Sequence, residues 1–381
     1  MTWLYLGFVA LICALLALDL GVFHRKLHVV RVKEALGWSA FWISLGVAFS
    51  GLIYLGYEQH WLGLGLTPDA MSVARTGADG TVVYNDGGSA LLKYLTGFVV
   101  EKSLAVDNIF VIAMIFSFFA VPPLYQHRVL FWGILGALLM RGGMIAVGSA
   151  LIVKFTWIIY VFGGFLILTG VKMLLLRDKP SDMGSNPVVR LVRRLIPITE
   201  KYHGAHFFVR AGSAGAEEPP VPGAAKEHDG IAATARKGML LATPLFLALV
   251  LVELTDLIFA VDSIPAIFAI TTDPFLVFTS NVFAILGLRS LYFALAGMID
   301  RFHYLKVSLS FVLIVVGTKM MTHGWLKSWL GEHFNFYVLG MIAGIIATGI
   351  VASLVSTRRD GPEGGGAGGE PPAELPQATV R

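Results

Sequence analysis

The sequence predicts an all-α membrane protein of about nine transmembrane helices, organised as an inverted repeat in which spans 3–5 answer spans 6–8. Three observations predict it. The 381-residue chain is 56% hydrophobic and only 14% charged, against about 25% charged in soluble domains. Its apolar residues fall in blocks, several longer than the roughly 20 residues that cross a bilayer as a helix. One acidic motif also occurs twice, once in each half of the chain. The mean hydropathy of +0.73 agrees, and a soluble enzyme is a poor reading.

The spans fall at approximately 2–23, 39–57, 90–119, 129–152, 154–176, 239–270, 275–297, 304–322 and 334–355. The first is not a signal peptide. No basic region precedes it, no small-x-small site ends it, it contains Asp19, and its basic cluster follows. It reads as a retained helix that starts outside.

Loop charge sets the orientation. Arg25, Lys26, Arg31 and Lys33 follow span one. Arg190, Arg193, Arg194, Lys201 and Arg210 lie in the loop from Arg177 to Lys237, Arg301 and Lys306 near 300, and Arg358 and Arg359 after the last span. The alternate loops are poor in cations: 58–89 carries Glu58, Asp69, Asp79 and Asp86 against Arg75 alone, and 271–274 carries only Asp273. This places the protein in a bacterial inner membrane, N-terminus outside and C-terminus cytoplasmic.

Four regions follow. Residues 1–176 hold spans one to five, 177–238 a partly disordered cytoplasmic loop, 239–355 spans six to nine, and 356–381 a disordered tail. The tail and residues 211–230 are too rich in Gly, Pro and Ala to bury a core. Residues 187–209 mix basic and apolar side chains, and read either as an amphipathic helix on the leaflet or as a solvated loop.

The single cysteine, Cys13, excludes an internal disulfide or a thiolate metal site. The ten histidines fall in predicted loops or at span ends. A buried site must therefore be made of oxygens. Span three supplies Glu101 and Asp107 with Asn108, and span six supplies Glu253, Asp256 and Asp262 with Ser263. Asp19 stands towards the inner end of span one. A charge such as Asp at a helix centre costs about 2.5–3.5 kcal/mol on insertion scales. Five such acids must face a wet cavity, share protons, pair with bases or hold a cation.

The stretch from Glu101 to Ile109 aligns with that from Asp256 to Ile264. Both read acid, three residues, Ala-Val-Asp, a small polar residue, Ile. Each is followed one span later by a lone arginine, Arg141 or Arg289, which either holds the acids or lines a gate. Span three runs inwards and span six outwards, so the repeat is inverted, a recurring plan of secondary transporters with the ion site at the repeat interface. Depth then predicts crosswise neighbours, Glu101 near Asp262 and Asp107 near Asp256. Residues six apart on a straight helix point about 240° apart, so a break or local unwinding is expected, aided in span six by Pro244 and Pro265. Glu253 and Asp256, three apart, share a face. Oxygen donors suit magnesium, calcium and manganese. The competing structural reading pairs the acids with Lys102, Arg141, Lys172 and Arg289. Gly340 and Gly344 predict close helix packing in span nine.

At these residues the chain resembles the TerC family of integral membrane proteins, including its Alx-type members. The resemblance rests on Leu18-Asp19-Leu20-Gly21, the stretch from Glu101 to Ile109, Val252-Glu253-Leu254-Thr255-Asp256 through Asp262-Ser263-Ile264-Pro265, and Thr279-Ser280-Asn281 to Arg289-Ser290-Leu291-Tyr292. It covers roughly residues 1–355. It implies manganese efflux, with the family's acidic residues mapping onto Glu101, Asp107, Asp256 and Asp262. Glu253, Asn108 and Asp19 are second choices, and Asn281, Arg141 and Arg289 are accessory. The expected function is export of Mn²⁺ or a similar hard divalent cation, with exchange for protons as one coupling. No resident cofactor, no nucleic-acid partner and no enzymatic activity are expected. The alternative is a factor for membrane-protein assembly or stress resistance, drawing on the basic cytoplasmic loop.

Overall fold

The computed structural model describes residues 2–18, 32–77, 80–155, 157–175, 197–199, 202–211, 238–295, 305–330 and 334–359. The helices are α1 (Thr2–Leu18), α2 (Val32–Glu58), α3 (Gly87–Phe118), α4 (Pro123–Lys154) and α5 (Ile158–Leu175), then α6 (Pro244–Phe268), α7 (Pro274–Ile285), α8 (Leu288–Leu295), α9 (Leu305–Leu330) and α10 (Phe334–Arg359). Local chemistry sets several of the boundaries. Pro123, Pro244 and Pro274 open α4, α6 and α7, where a missing N–H costs no helical bond. Asp86 caps α3 by accepting from the Ser89 N–H at 2.7 Å. After α3, Ala120 takes φ 48° and the chain turns into Pro122.

Each predicted span coincides with a helix, the seventh being shared by α7 and α8. Among the described residues, five helices are long and apolar enough to cross a membrane: Val32–Glu58, Pro123–Ile152, Ile158–Leu175, Pro244–Phe268 and Pro274–Leu295. Thr2–Leu18, Val307–Thr322 and Tyr337–Ser353 are shorter apolar helices. Large apolar side chains face outward on α1, α2 and α5, among them Trp3, Leu52, Tyr160 and Leu168. Such a surface is costly in water and at home in lipid.

Packing is crosswise. α3 lies on α7 and α6, α4 on α6 and α7, and α5 along α9. The α5–α9 seam is the tightest. A Cβ on Gly163 would stand 3.1 Å from the Gly317 carbonyl, and one on Gly170 would stand 2.8 Å from that of Ser310. Gly340 and Gly344 do not pack this way. Nothing lies within 4 Å of a Cβ built on either, because they face outward on α10.

Three further expectations are corrected. α3 and α6 are continuous through their acids. The break falls in span seven, where Leu286 leaves the helix and Gly287 takes φ 80° with Trp42 packed where a side chain would project. His323 lies inside α9, not at a helix end. The described part of the long loop is neither amphipathic helix nor plain coil. Phe208–Arg210 pairs antiparallel with Leu240–Ala242, and Tyr202 donates to the Phe119 carbonyl at 2.6 Å, tying this sheet to the end of α3. At the opposite end Arg75–Thr76 and Val82–Val83 form a small hairpin. Asp19, residues 211–230 and the tail beyond 359 lie outside the described residues.

Candidate functional site

Three apolar clusters fill the bundle. Along α3, Val100 and Leu104 belong to one, and Ala105 and Ile109 to the next. Between them lies a polar cluster whose hub is Arg141 on α4. Its guanidinium forks onto Asp256, Nη2 donating to Oδ1 at 2.9 Å and Nε to Oδ2 at 3.2 Å. Nη1 donates to Glu101, to Ser263 Oγ at 3.2 Å and to Asn281 Oδ1 at 3.4 Å. Asn108 Nδ2 donates to Asp256 Oδ1 at 3.1 Å. Glu101, Arg141, Asn108, Ser263 and Asn281 are all buried. Four helices thus converge: α3 brings Glu101 and Asn108, α4 Arg141, α6 Asp256 and Ser263, and α7 Asn281.

Such a bidentate pair is strong locally, but taking its charges out of water offsets much of the gain. One guanidinium also faces two carboxylates. Among the described residues, three buried oxygens have no hydrogen-bond partner: Glu101 Oε2, Asn108 Oδ1 and Glu253 Oε2. An unsatisfied buried acceptor costs about 1–3 kcal/mol, more when charged. All three are acceptors, so only a donor or a cation relieves them. Glu253 lies against Gly136 of α4, where any side chain would collide with its carboxylate.

The crosswise pairs expected from depth, Glu101 with Asp262 and Asp107 with Asp256, turn on two side chains outside the described set. Glu101 and Asp256 were expected at opposite depths, yet one guanidinium reaches both, because α3 and α6 pack directly. The side chains of Asp107 and Asp262 lie outside the described set. Both residues stand on helices, and their chain neighbours Asn108 and Ser263 enter the cluster. Among the described residues, no three His, Cys, Asp or Glu side chains converge closely enough to hold an ion. Among the described residues, Lys102 pairs with no acid of the cluster. It donates to the Ala284 and Leu286 carbonyls at 2.9 and 3.3 Å, two of the groups set free where α7 breaks. Lys172 is exposed on α5, and Arg289 is buried in α8.

A second polar knot was missed by sequence reasoning. Asp69 accepts from Lys93 Nζ at 2.7 Å, Asn85 Nδ2 at 3.1 Å, Thr271 Oγ1 at 2.6 Å and the N–H and hydroxyl of Thr272 at 2.9 and 3.0 Å. Lys93 also donates to Ser72 and Asn85. Next to it, Asp273 accepts from Tyr57 at 2.9 Å and caps α7. Burial alone would push Asp69 up, but the Lys93 ammonium and the threonine donors hold it well below the usual carboxylate range. Asp273 is pushed up, by burial and then by the Asp69 charge. The signal available in the sequence was Lys93, a cation in the apolar run that opens span three.

A buried ionic centre in a bundle of apolar helices defines an integral, multi-pass membrane protein. Residues 86–361 match the integral membrane protein TerC family, and the chain belongs to it. An uncharacterised membrane protein of Myxococcus xanthus is 48% identical over 355 residues, 93% of either chain. Alx of Escherichia coli K12, named as a candidate membrane-bound redox modulator, is 41% identical over 362 residues, 94% of this chain and 97% of its own. Its Salmonella typhi counterpart is 40% identical over 359 residues, 93% of this chain and 95% of its own. No solved structure matches.

Proposed function

We propose that this protein is a secondary transporter that exports a hard divalent cation, best fitted by Mn²⁺, through the carboxylate cluster between its two halves. The observation that carries this reading is the set of three orphaned acceptor oxygens on Glu101, Asn108 and Glu253. They sit in a cluster whose other acceptors are also oxygens, from Asp256, Ser263 and Asn281. Carboxylate, amide and hydroxyl oxygens suit manganese, magnesium and calcium over zinc or copper. Asp107 and Asp262 stand on the same two helices and complete the proposed ligand set, with Arg289 and Asp19 as accessory residues.

Helix pairing supports the inverted repeat. Exchanging spans three and six, and likewise four and seven, turns the α3–α7 contact into α6–α4 and leaves α3–α6 and α4–α7 in place. That is the pattern expected of two repeats related by a pseudo-twofold axis in the membrane plane. Loop charge puts the N-terminus outside a bacterial inner membrane and the C-terminus in the cytoplasm, so the Asp69 knot closes the outer end. The chemistry proposed is transport and not catalysis.

The test is Mn²⁺ flux in proteoliposomes, comparing wild type with Glu101→Gln and Asp256→Asn. Flux in wild type and its loss in both variants, at normal membrane levels, is the expected result. Undiminished flux in both variants would sink the site. No flux of any divalent cation in well-folded wild type would move the reading to an assembly factor.

A further inference from the structure

We propose that Arg141 is a tethered stand-in for the transported ion: its guanidinium holds the site's oxygens when no divalent cation is bound and releases them on loading. The inference rests on the transport reading above and adds how the empty carrier is stabilised.

The first argument is what the guanidinium touches. It takes five oxygens from four side chains: both of Asp256, one of Glu101, Ser263 Oγ and Asn281 Oδ1. Glu101, Asp256 and Ser263 belong to the ligand set read from the sequence, and Asn281 to its accessory residues. A hard divalent cation is bound by such oxygens, about six to eight for calcium and six for magnesium. The same oxygens cannot point at both cations. A divalent ion beside a buried guanidinium would also be repelled strongly, since charges inside a protein are poorly screened. Binding of one therefore means departure of the other.

Charge bookkeeping is the second argument. Glu101 and Asp256 contribute two negative charges and Arg141 one positive. With Arg141 in place these two acids keep one excess negative charge, and with a divalent ion in its place the pair is neutral. Without either cation, two bare carboxylates would face each other in a dry core, which costs far more. After each release the exporter must return without its metal ion. A tethered cation lets that return step occur without a second metal ion.

Topology supplies the third. The acids stand on α3 and α6, whereas Arg141 stands on α4. Its release therefore changes how α4 is held against α3 and α6, which links loading to helix movement. Arg141 precedes Gly142 and Gly143, and a glycine pair is a common place for a helix to bend. Lysine could not do the same work, because only the forked guanidinium reaches two carboxylates at once.

The experiment separates two modes of flux in proteoliposomes: net Mn²⁺ efflux, which needs an empty return, and Mn²⁺-for-Mn²⁺ exchange, which does not. Arg141→Gln is expected to retain exchange while net efflux falls by about tenfold or more, because the empty return step loses its neutralising charge. The same variant is expected to bind Mn²⁺ more tightly, read from the loss of the free-ion signal in electron paramagnetic resonance. Parallel loss of exchange and net efflux, or retention of both, overturns the proposal. Arg141→Lys keeps the charge without the fork, and serves if the glutamine variant does not reach the membrane. It should retain exchange and run net efflux several-fold below wild type. Equal loss of both fluxes in this variant also overturns the proposal. Wild type lacking both fluxes would instead refute the transport reading itself.

Discussion

Replacing Asp69 by Asn removes the charge that holds Lys93 under the 59–86 loop. The two groups stand 2.7 Å apart and neither side chain is more than 1% exposed. At that distance and an effective dielectric of about 20, their attraction is about 6 kcal/mol. Desolvation of two ions cancels much of it. What survives is an asymmetry. Removing one partner leaves the other buried and uncompensated, at about 3–5 kcal/mol. Asp69→Asn and Lys93→Met are each expected to destabilise by that order. The double variant should cost clearly less than the two combined, because each single loss is mostly the penalty on the abandoned partner. The assay is unfolding in mixed detergent micelles, followed by circular dichroism, for all four proteins of the cycle. Strict additivity would refute the reasoning, since it would mean that the pair exchanges no energy in the fold.

Other outcomes follow from the same structure. Asp69 is held low, so its contribution is present above about pH 4, the ordinary carboxylate value, and is lost as pH falls below it. Asp273 is held high and has the opposite sign. It costs stability as pH rises from about 4, so the thermal midpoint should rise on mild acidification from neutral and fall below that value. Asp273→Asn should flatten the first change in a pH series of melts. Gly287→Ala combines a left-handed residue, about 1–2 kcal/mol, with a collision against Trp42. A thermal midpoint equal to wild type would contradict that. Lys102→Met strands the Ala284 and Leu286 carbonyls and should cost about 1–3 kcal/mol, measured by the same unfolding assay.

Much was legible in the sequence because bilayer solvation is a one-dimensional constraint. A helix must satisfy its own backbone in lipid, so apolar block lengths place the helices directly. Even the broken seventh span appeared as one block, since Leu286 and Gly287 are as apolar as their neighbours. Glu101, Asp256, Asn108 and Ser263 stood out because polar residues in such blocks are costly enough to need a reason. The family resemblance added Asn281.

Tertiary structure alone decided who neutralises whom. Nothing in residue spacing distinguishes Arg141, which reaches two acids, from Lys102, which satisfies carbonyls at a break. That difference lies in the packing of α4 and α3 against α6 and α7. The Asp69 knot was hidden for the same reason: Asp69 lies in a loop that reads as solvated, and only its fold back onto Lys93 and Thr271 buries it. The glycines followed this rule as well. Gly340 and Gly344 had the spacing of a packing motif, but Gly163, Gly170 and Gly317 made the close contact. Helix lengths are fixed by local solvation and so are written along the chain. Partners across the bundle are fixed by which faces meet, and that is settled only when the helices are assembled.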